Sequence, residues 1–329
     1  VGGFRIFGEG AVMADMEMLR GRIQAARAEL CKVFMGKDEP VDLMLLGFIA
    51  GLPVLIEDIP GVGKTTLARA LAAACDLDFG RIQFTPDLLP GDITGMTVWS
   101  QETRGFVFKP GAIMRRFVLA DEINRAPART QAALLEAMQE GAVTVDGVTH
   151  RLPEPFFLVA TQNPLSYAGT FQLPEAQLDR FGIGFAIGYP ERADEMRIGR
   201  MISRADVFGD VAAVLAADDI VAIRDAVRAV LVDDQVLEYV VRIVAETRGA
   251  DGLRTGASPR AGQHLARAAQ ARAFLDGRGY VMPEDVRAMS RPVLAHRLSL
   301  SPEARLAGRQ VRDILAASVQ RIAMPSGLR

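Results

Sequence analysis

The chain has 329 residues, half of them hydrophobic and 24% charged, with 38 basic against 40 acidic side chains for a net charge of −2. That length suggests two domains of about 150 residues each, and the composition is that of a globular protein with a substantial core. The near-cancelled charge removes the bulk electrostatic argument for a nucleic-acid or membrane partner. Two cysteines (Cys31, Cys75) and three scattered histidines make neither a disulfide framework nor a zinc centre. The longest apolar run, Leu43 to Ile56, is interrupted by Gly47, Gly51 and Pro53 and is too short to span a bilayer. A reducing, cytoplasmic setting with no membrane contact is the expectation.

Residues 1–14 start without methionine and are rich in glycine, which reads as a flexible arm or a cloning remnant. From Asp15 to Lys37 apolar residues recur at helical spacing, at Met18, Ile23, Ala26, Leu30, Val33 and Phe34. Residues 15–189 then alternate short apolar strands with helices. Strands are predicted at Pro53–Glu57, Gly80–Phe84, Phe117–Asp121, Phe156–Thr161 and Gly182–Ile187, with helices at Thr65–Ala74 and Thr130–Glu140. Such alternation argues for an α/β fold with a mostly parallel sheet. Gly95–Pro110 reads as two short strands, Met96–Trp99 and Phe106–Phe108, around a turn. Ala142–Val145 and Val148–Arg151, joined by Asp146-Gly147, read as a hairpin. Tyr189-Pro190-Glu191-Arg192 marks a break, and residues 190–329 read as helices alone. These are Glu191–Arg204, Asp218–Val230, Gln235–Thr247, Ala257–Leu275, Pro283–Ser290 and Ala307–Ile322.

The strongest local signal runs from Leu55 to Thr66, where a buried strand passes through Asp58-Ile59-Pro60-Gly61-Val62-Gly63-Lys64-Thr65-Thr66 into a helix. Glycines let a loop turn its amides onto phosphate oxygens, and the helix N-terminus adds positive potential. In such a loop Lys64 reaches the β- and γ-phosphates and the Thr65 hydroxyl holds Mg²⁺. Only four lysines stand against 34 arginines, so a lysine in this position is conspicuous. Asp58 departs from the usual pattern, occupying the position of its first glycine.

Downstream, Arg116–Glu122 is an apolar strand ending in two acids. After a phosphate loop, Asp121 suits a water-mediated Mg²⁺ contact and Glu122 the polarising of an attacking water. Asn163, at the end of Phe156–Pro164, could sense a γ-phosphate; an ordinary turn before proline reads the same. Arg180, in Leu178-Asp179-Arg180-Phe181, is in isolation one surface arginine among many, and in this series it reads as an arginine finger. Ser258-Pro259 fits an N-cap followed by proline at the first helical position, which leaves Arg260 free for a phosphate.

In this order the strings resemble the MoxR family of AAA+ ATPases over roughly residues 20 to 325. The resemblance rests on Leu55–Thr66, Arg81–Pro90, Ala120–Pro127, Glu136-Ala137-Met138, Ala160–Pro164 and Leu173–Phe181. Against this family the Asp58 departure disappears, whereas Pro53 stands where members often carry histidine. The resemblance implies a five-stranded parallel AAA+ P-loop core over residues 15–189, an all-α lid over 190–329, and assembly as a ring, usually a hexamer. Nucleotide then sits between subunits, Arg180 acts in trans, and Arg260 matches the lid's sensor-2 arginine. The hairpins near 95–110 and 142–151 match family insertions that face the pore or a client. Trp99, the lone tryptophan, reads equally as a partner contact or as packing.

The expected function is Mg²⁺-dependent ATP hydrolysis that remodels, assembles or matures a partner protein, by resemblance often one with a von Willebrand A-domain. Rubisco-activase-like and chelatase-like motors share most of these motifs and remain alternatives. A nucleic-acid motor is disfavoured by charge, since residues 1–189 carry 17 basic against 22 acidic residues and 190–329 carry 21 against 18, with no basic stripe. A scaffold that binds ATP without turning it over is disfavoured by the intact Asp121-Glu122 pair.

Overall fold

The computed structural model describes residues 9–164, 171–201 and 208–325. Helices α1 (Glu9–Val33) and α2 (Asp38–Ala50) precede β1 (Val54–Glu57), and α3 (Lys64–Ala74) follows it. Next come β2 (Phe79–Gln83), α4 (Pro90–Thr94) and a hairpin of β3 (Gly95–Ser100) and β4 (Gly105–Pro110). Strand β5 (Phe117–Asp121) leads through a 3-10 turn at Ile123–Arg125 into α5 (Ala128–Glu140). A second hairpin, β6 (Ala142–Val145) and β7 (Val148–Arg151), is followed by β8 (Phe157–Gln162), α6 (Glu175–Leu178) and β9 (Ile183–Phe185). The remainder holds α7 (Arg192–Arg200), α8 (Ala217–Ala229), α9 (Asp234–Gly249), β10 (Leu253–Thr255), α10 (Pro259–Leu275), α11 (Pro283–Leu294), β11 (Ser299–Leu300), α12 (Pro302–Leu306) and α13 (Val311–Arg321).

Five strands form one parallel sheet in the order β2-β5-β8-β1-β9. Because side chains alternate across a strand, each strand feeds two cores. Val54, Ile56, Leu119, Val159 and Ile183 face one layer, shared with α1, α2, α3 and the C-terminal helices. Leu55, Val118, Ala120, Leu158 and Ala160 face the other, closed by Leu134 and Ala137 of α5 and by Ile93 and Ile113. The inner strands β1, β5 and β8 are buried on both faces, which is why they read as near-continuous apolar runs.

Several expectations are corrected. Residues 9–14 belong to α1, so the helix begins inside the expected arm; residues 1–8 lie outside the described residues. Met18 is exposed and Leu19 is buried in its place. Helix α2 was not anticipated, because it is apolar nearly all round and shows no amphipathic period. It ends at Gly51, whose φ of 66° is left-handed, and its Gly47 lies where a Cβ would come within 2.6 Å of the Val54 side chain. The C-terminal part is not purely helical, since β10 and β11 pair antiparallel. The expected helix from Ala307 starts later, as α13 at Val311, because the chain turns at Gly308 with φ of 71°, and the short α12 precedes it. Helix α11 continues past Ser290 to Leu294, with Pro292 inside its last turn. Residues 202–204 of the expected helix after Pro190 lie outside the described residues.

The two hairpins meet where the rings of Phe108 and His150 stack with centroids 3.6 Å apart. Trp99 is exposed and packs edge-on against the exposed Phe106, not into the core. The helical part is braced to the sheet by Arg224 of α8, which donates to the carbonyls of Phe48 (3.2 Å) and Phe156 (3.1 Å). Burial lowers its pKa to about 10. Among the described residues no helix is long and apolar enough to cross a membrane.

Candidate nucleotide site

The loop between β1 and α3 is built to leave amides unpaired. Gly61 and Gly63 have φ of 86° and 94°, a region that L side chains rarely adopt. A Cβ on Gly61 would meet nothing within 4 Å, so the loop opens onto free space there. Gly63 caps α3 without any side-chain hydrogen bond, leaving the first-turn amides for an anion. Pro60 and Gly61 are exposed, Val62 is buried, and Thr65 and Thr66 of the first turn are half-buried.

Lys64 is 9% exposed, and its Nζ donates to the carbonyls of Asp58 (2.5 Å) and Ile59 (3.0 Å). Burial pushes its pKa down, while the charges of Asp58, Asp121 and Glu122 pull the other way. The ammonium is therefore folded onto loop carbonyls that an oxyanion can replace. Asp58 does something different from what its place in the motif suggests. Its carboxylate accepts backbone N–H bonds from Ile59 (2.8 Å), Ile187 (2.7 Å) and Gly188 (2.6 Å). It ties the loop to the chain leaving β9.

Across from the loop, the ends of β5 and β8 hold the acids. Thr161, fully buried, donates its Oγ1 proton to Asp121 Oδ1 (2.6 Å) and accepts from the Glu122 N–H (2.9 Å). Asp121 Oδ2 accepts from Arg81 Nε (3.0 Å) and Nη2 (2.6 Å). Glu122 has φ of 55°, left-handed for a non-glycine residue, and its Oε2 accepts from Gln83 (3.0 Å) and Arg125 (2.9 Å). Asn163 follows β8 at the same end of the sheet, and its carbonyl accepts from Asn124 Nδ2 (3.0 Å).

The structure adds parts that the motifs did not indicate. Thr161, Gln83 and Arg81 orient the two acids; the available signal was a lone threonine in an apolar strand end. Beside the loop lies a cavity of about 340 Å³, lined by Phe34, Met35, Val62, Ile187, Tyr189, Ile198 and Met201. Its mostly apolar wall suits a planar base, and its residues are too dispersed in sequence to form a motif.

Arg180 and Arg260 are not at this end of the sheet. Gly182 N–H donates to the Pro53 carbonyl (2.8 Å), which puts Arg180 beside the start of β1, whereas Lys64 lies beyond its end. Four strand residues span about 13 Å. There the structure brings Arg180 and Arg260 together around Asp179, whose Oδ2 is 3.3 Å from Arg260 Nη1. Burial, and then the charge of Arg260, lowers the Arg180 pKa.

A parallel sheet with a glycine loop at the carboxyl end of a central strand, and two acids at the end of a neighbouring one, defines a phosphate-loop nucleotide-binding protein. The chain matches the ATPase family associated with various cellular activities (AAA) over residues 53–183 and an AAA lid domain over residues 245–318. It is 45% identical over 309 residues to an uncharacterized protein YeaC of Bacillus subtilis, covering 93% of this chain and 97% of that one. It is 38% identical over 313 residues to Chaperone MoxR1 of Mycobacterium tuberculosis, covering 92% and 82%. A crystal structure of a presumed ATPase from Cytophaga hutchinsonii superposes with a TM-score of 0.89 at 35% identity, covering 96% and 99%. The chain belongs to the MoxR family of AAA+ ATPases.

Proposed function

We propose that the chain binds ATP with Mg²⁺ at the β1–α3 loop, hydrolyses it within a ring of identical subunits, usually a hexamer in this family, and uses the cycle to remodel a partner protein. The observation that carries this reading is the uncapped start of α3, with Lys64 beside it, facing the Asp121–Glu122 pair. The donor set fits an Mg²⁺-triphosphate: loop amides and an ammonium for the phosphates, and hard oxygens from Thr65 and Asp121 for the ion. When bound, Mg²⁺ neutralises charge on the phosphates.

The chain's own groups do the rest. Lys64 leaves the Asp58 and Ile59 carbonyls for phosphate oxygens, and the loop amides and α3 hold the remainder. Thr161 keeps Asp121 oriented toward the ion. Glu122 exchanges Gln83 and Arg125 for a water and takes its proton, and Asn163 orients that water. The cavity between Phe34 and Tyr189 takes the base. Arg180 and Arg260 lie at the opposite end of the sheet, so their phosphate is a neighbouring subunit's, and both act in trans. Catalysis of this kind needs positioned charge and little covalent machinery.

The partner is a protein, on this reading one with a von Willebrand A-domain, and the setting is cytoplasmic. Two features support a protein partner over nucleic acid. The charge balance of both halves is mixed, and the β3–β4 hairpin presents Trp99 and Phe106 to solvent. The test is phosphate release by purified protein with Mg²⁺-ATP, alongside capture of a partner on the Glu122→Gln protein held in ATP. Normal turnover by Glu122→Gln contradicts the site assignment. Stimulation by DNA that fades with salt favours a nucleic-acid motor instead.

A further inference from the structure

The two acids at the end of β5 sit beside a charged group that the proposed hydrolysis leaves without a part. Arg81 lies on β2, the edge strand of the sheet, and its register partner is Leu119, two residues short of Asp121. Its side chain runs forward along the sheet, and its Nε (3.0 Å) and Nη2 (2.6 Å) both donate to Asp121 Oδ2. Nη2 also donates to Gln83 Oε1 (2.6 Å), and Gln83 Nε2 donates on to Glu122 Oε2 (3.0 Å). One guanidinium thus reaches Asp121 directly and Glu122 through a single amide.

The contact is of a kind that exchanges readily. An arginine and a carboxylate bind most strongly as a fork, each nitrogen on its own oxygen. Here Thr161 holds Asp121 Oδ1 (2.6 Å), so both arginine donors crowd onto Oδ2. The Asp121 side chain is 8% exposed, and that of Arg81 is 49% exposed. The carboxylate is fixed, whereas the guanidinium has solvent beside it to move into. Oδ2 is the oxygen that Thr161 leaves open to a cation, and Arg81 is the cation there.

The neighbours explain why one is needed. Asp121 and Glu122 are consecutive carboxylates, and charges so close repel each other and any phosphate brought near them. Lys64 does not answer them, because its Nζ is turned onto the Asp58 and Ile59 carbonyls. Burial lowers the Lys64 pKa, and the charges of Asp58, Asp121 and Glu122 work against it, so the field of the acids reaches the phosphate loop.

We propose that Arg81 is the built-in counter-ion of the Mg²⁺ position. It covers Asp121 while the metal is absent, so that a nucleotide can approach, and gives up Oδ2 when Mg²⁺ arrives. This rests on the Mg²⁺-ATP reading of the site.

The test measures binding of methylanthraniloyl-ATP to the full-length protein, once in EDTA and once in excess Mg²⁺. Wild type is compared with Arg81→Ala, Arg81→Lys and the double variant Arg81→Ala/Asp121→Asn. In EDTA, Arg81→Ala binds about fivefold more weakly than wild type, because a bare Asp121 then faces the phosphates. In Mg²⁺ its affinity stays within about twofold of wild type, since the metal covers the acid. Arg81→Lys keeps a point charge and stays within about twofold in both conditions. The double variant carries neither charge and returns to within about twofold of wild type in EDTA.

Equal losses by Arg81→Ala with and without Mg²⁺ are what a merely structural ion pair gives, and they overturn the proposal. No loss in EDTA overturns it too, as does a double variant as weak there as Arg81→Ala. If Arg81→Ala fails to fold, the other two variants decide. Wild-type affinity of both in EDTA supports the proposal, and a loss of about fivefold in either overturns it. If wild type binds the analogue in neither condition, the nucleotide reading has failed first, and the proposal falls with it.

Discussion

The two ends of the central sheet are chemical opposites. At the carboxyl end, β1, β5 and β8 present unpaired amides, one lysine and two acids within three short loops. At the amino end, beside the start of β1 and β9, a single carboxylate is surrounded by arginines drawn from both domains. On the proposed function, the first end is a receptor for a phosphate chain and its cation. The second gathers the guanidiniums of Arg260 and Arg297 on the Asp179 carboxylate, with Arg180 next to it in the chain. On the proposed function neither is a complete hydrolytic site, and the sheet keeps them apart by its own length. Two copies placed end to end bring the halves together, as the proposed ring requires.

Substitutions that disable one end without touching the other are the sharpest way to break this contrast. The largest effect is expected at the arginine end: Arg180→Ala reduces kcat about 10³-fold while a fluorescent ATP analogue binds as in wild type. If its nucleotide affinity collapses as well, the two ends are not separate. At the receptor end Glu122→Gln lowers phosphate release about 10²-fold or more and retains ATP binding, measured by filter retention. Thr161→Val removes the hydroxyl that joins Asp121 to the Glu122 amide. It lowers kcat about tenfold and stability by about 1–2 kcal/mol, read from a denaturant melt. An unchanged kcat would show that the two acids do not need this bridge.

A pH scan separates the ends by stability. His264 and His296 lie at the arginine end, with folded pKa values near 3 against about 6.5 when unfolded. The unfolded chain therefore binds more protons between those values, and stability falls as pH drops through that window, by roughly 1 kcal/mol per histidine per pH unit. Melting temperature against pH shows a shallower fall in His264→Asn than in wild type; parallel curves contradict burial of a neutral ring. The smallest effect is at the base cavity. Tyr189 is 70% exposed, and Tyr189→Ala weakens ATP about threefold with kcat unchanged.

The same contrast sorts what the sequence made legible. The receptor end was readable because its groups are consecutive: a strand, a glycine loop and a helix in twelve residues, then two acids after another strand. What escaped were groups acting one step back. Thr161 and Gln83 sit on strands where a polar residue carries no pattern, and the base cavity draws on the turn after α1, the chain after β9 and α7. Asp58 lies inside the motif, and only the fold shows its carboxylate turned onto Ile187 and Gly188. At the other end Arg180 and Arg260 were singled out by their place in a family order. Asp179 and Arg297 were not, since their ion pair forms when residues 118 apart meet at a domain joint. Among the elements, α2 was missed for being buried all round, and the two-stranded β10–β11 ladder for being too short.

The central claim is that the active site is assembled from two copies of the chain. Purified Arg180→Ala and Lys64→Ala proteins, each inactive alone, are mixed at several ratios and phosphate release is followed. An Arg180→Ala subunit binds ATP, and a Lys64→Ala neighbour offers it an intact Arg180, so turnover reappears and peaks at intermediate ratios. Full activity of Arg180→Ala protein by itself would contradict the claim.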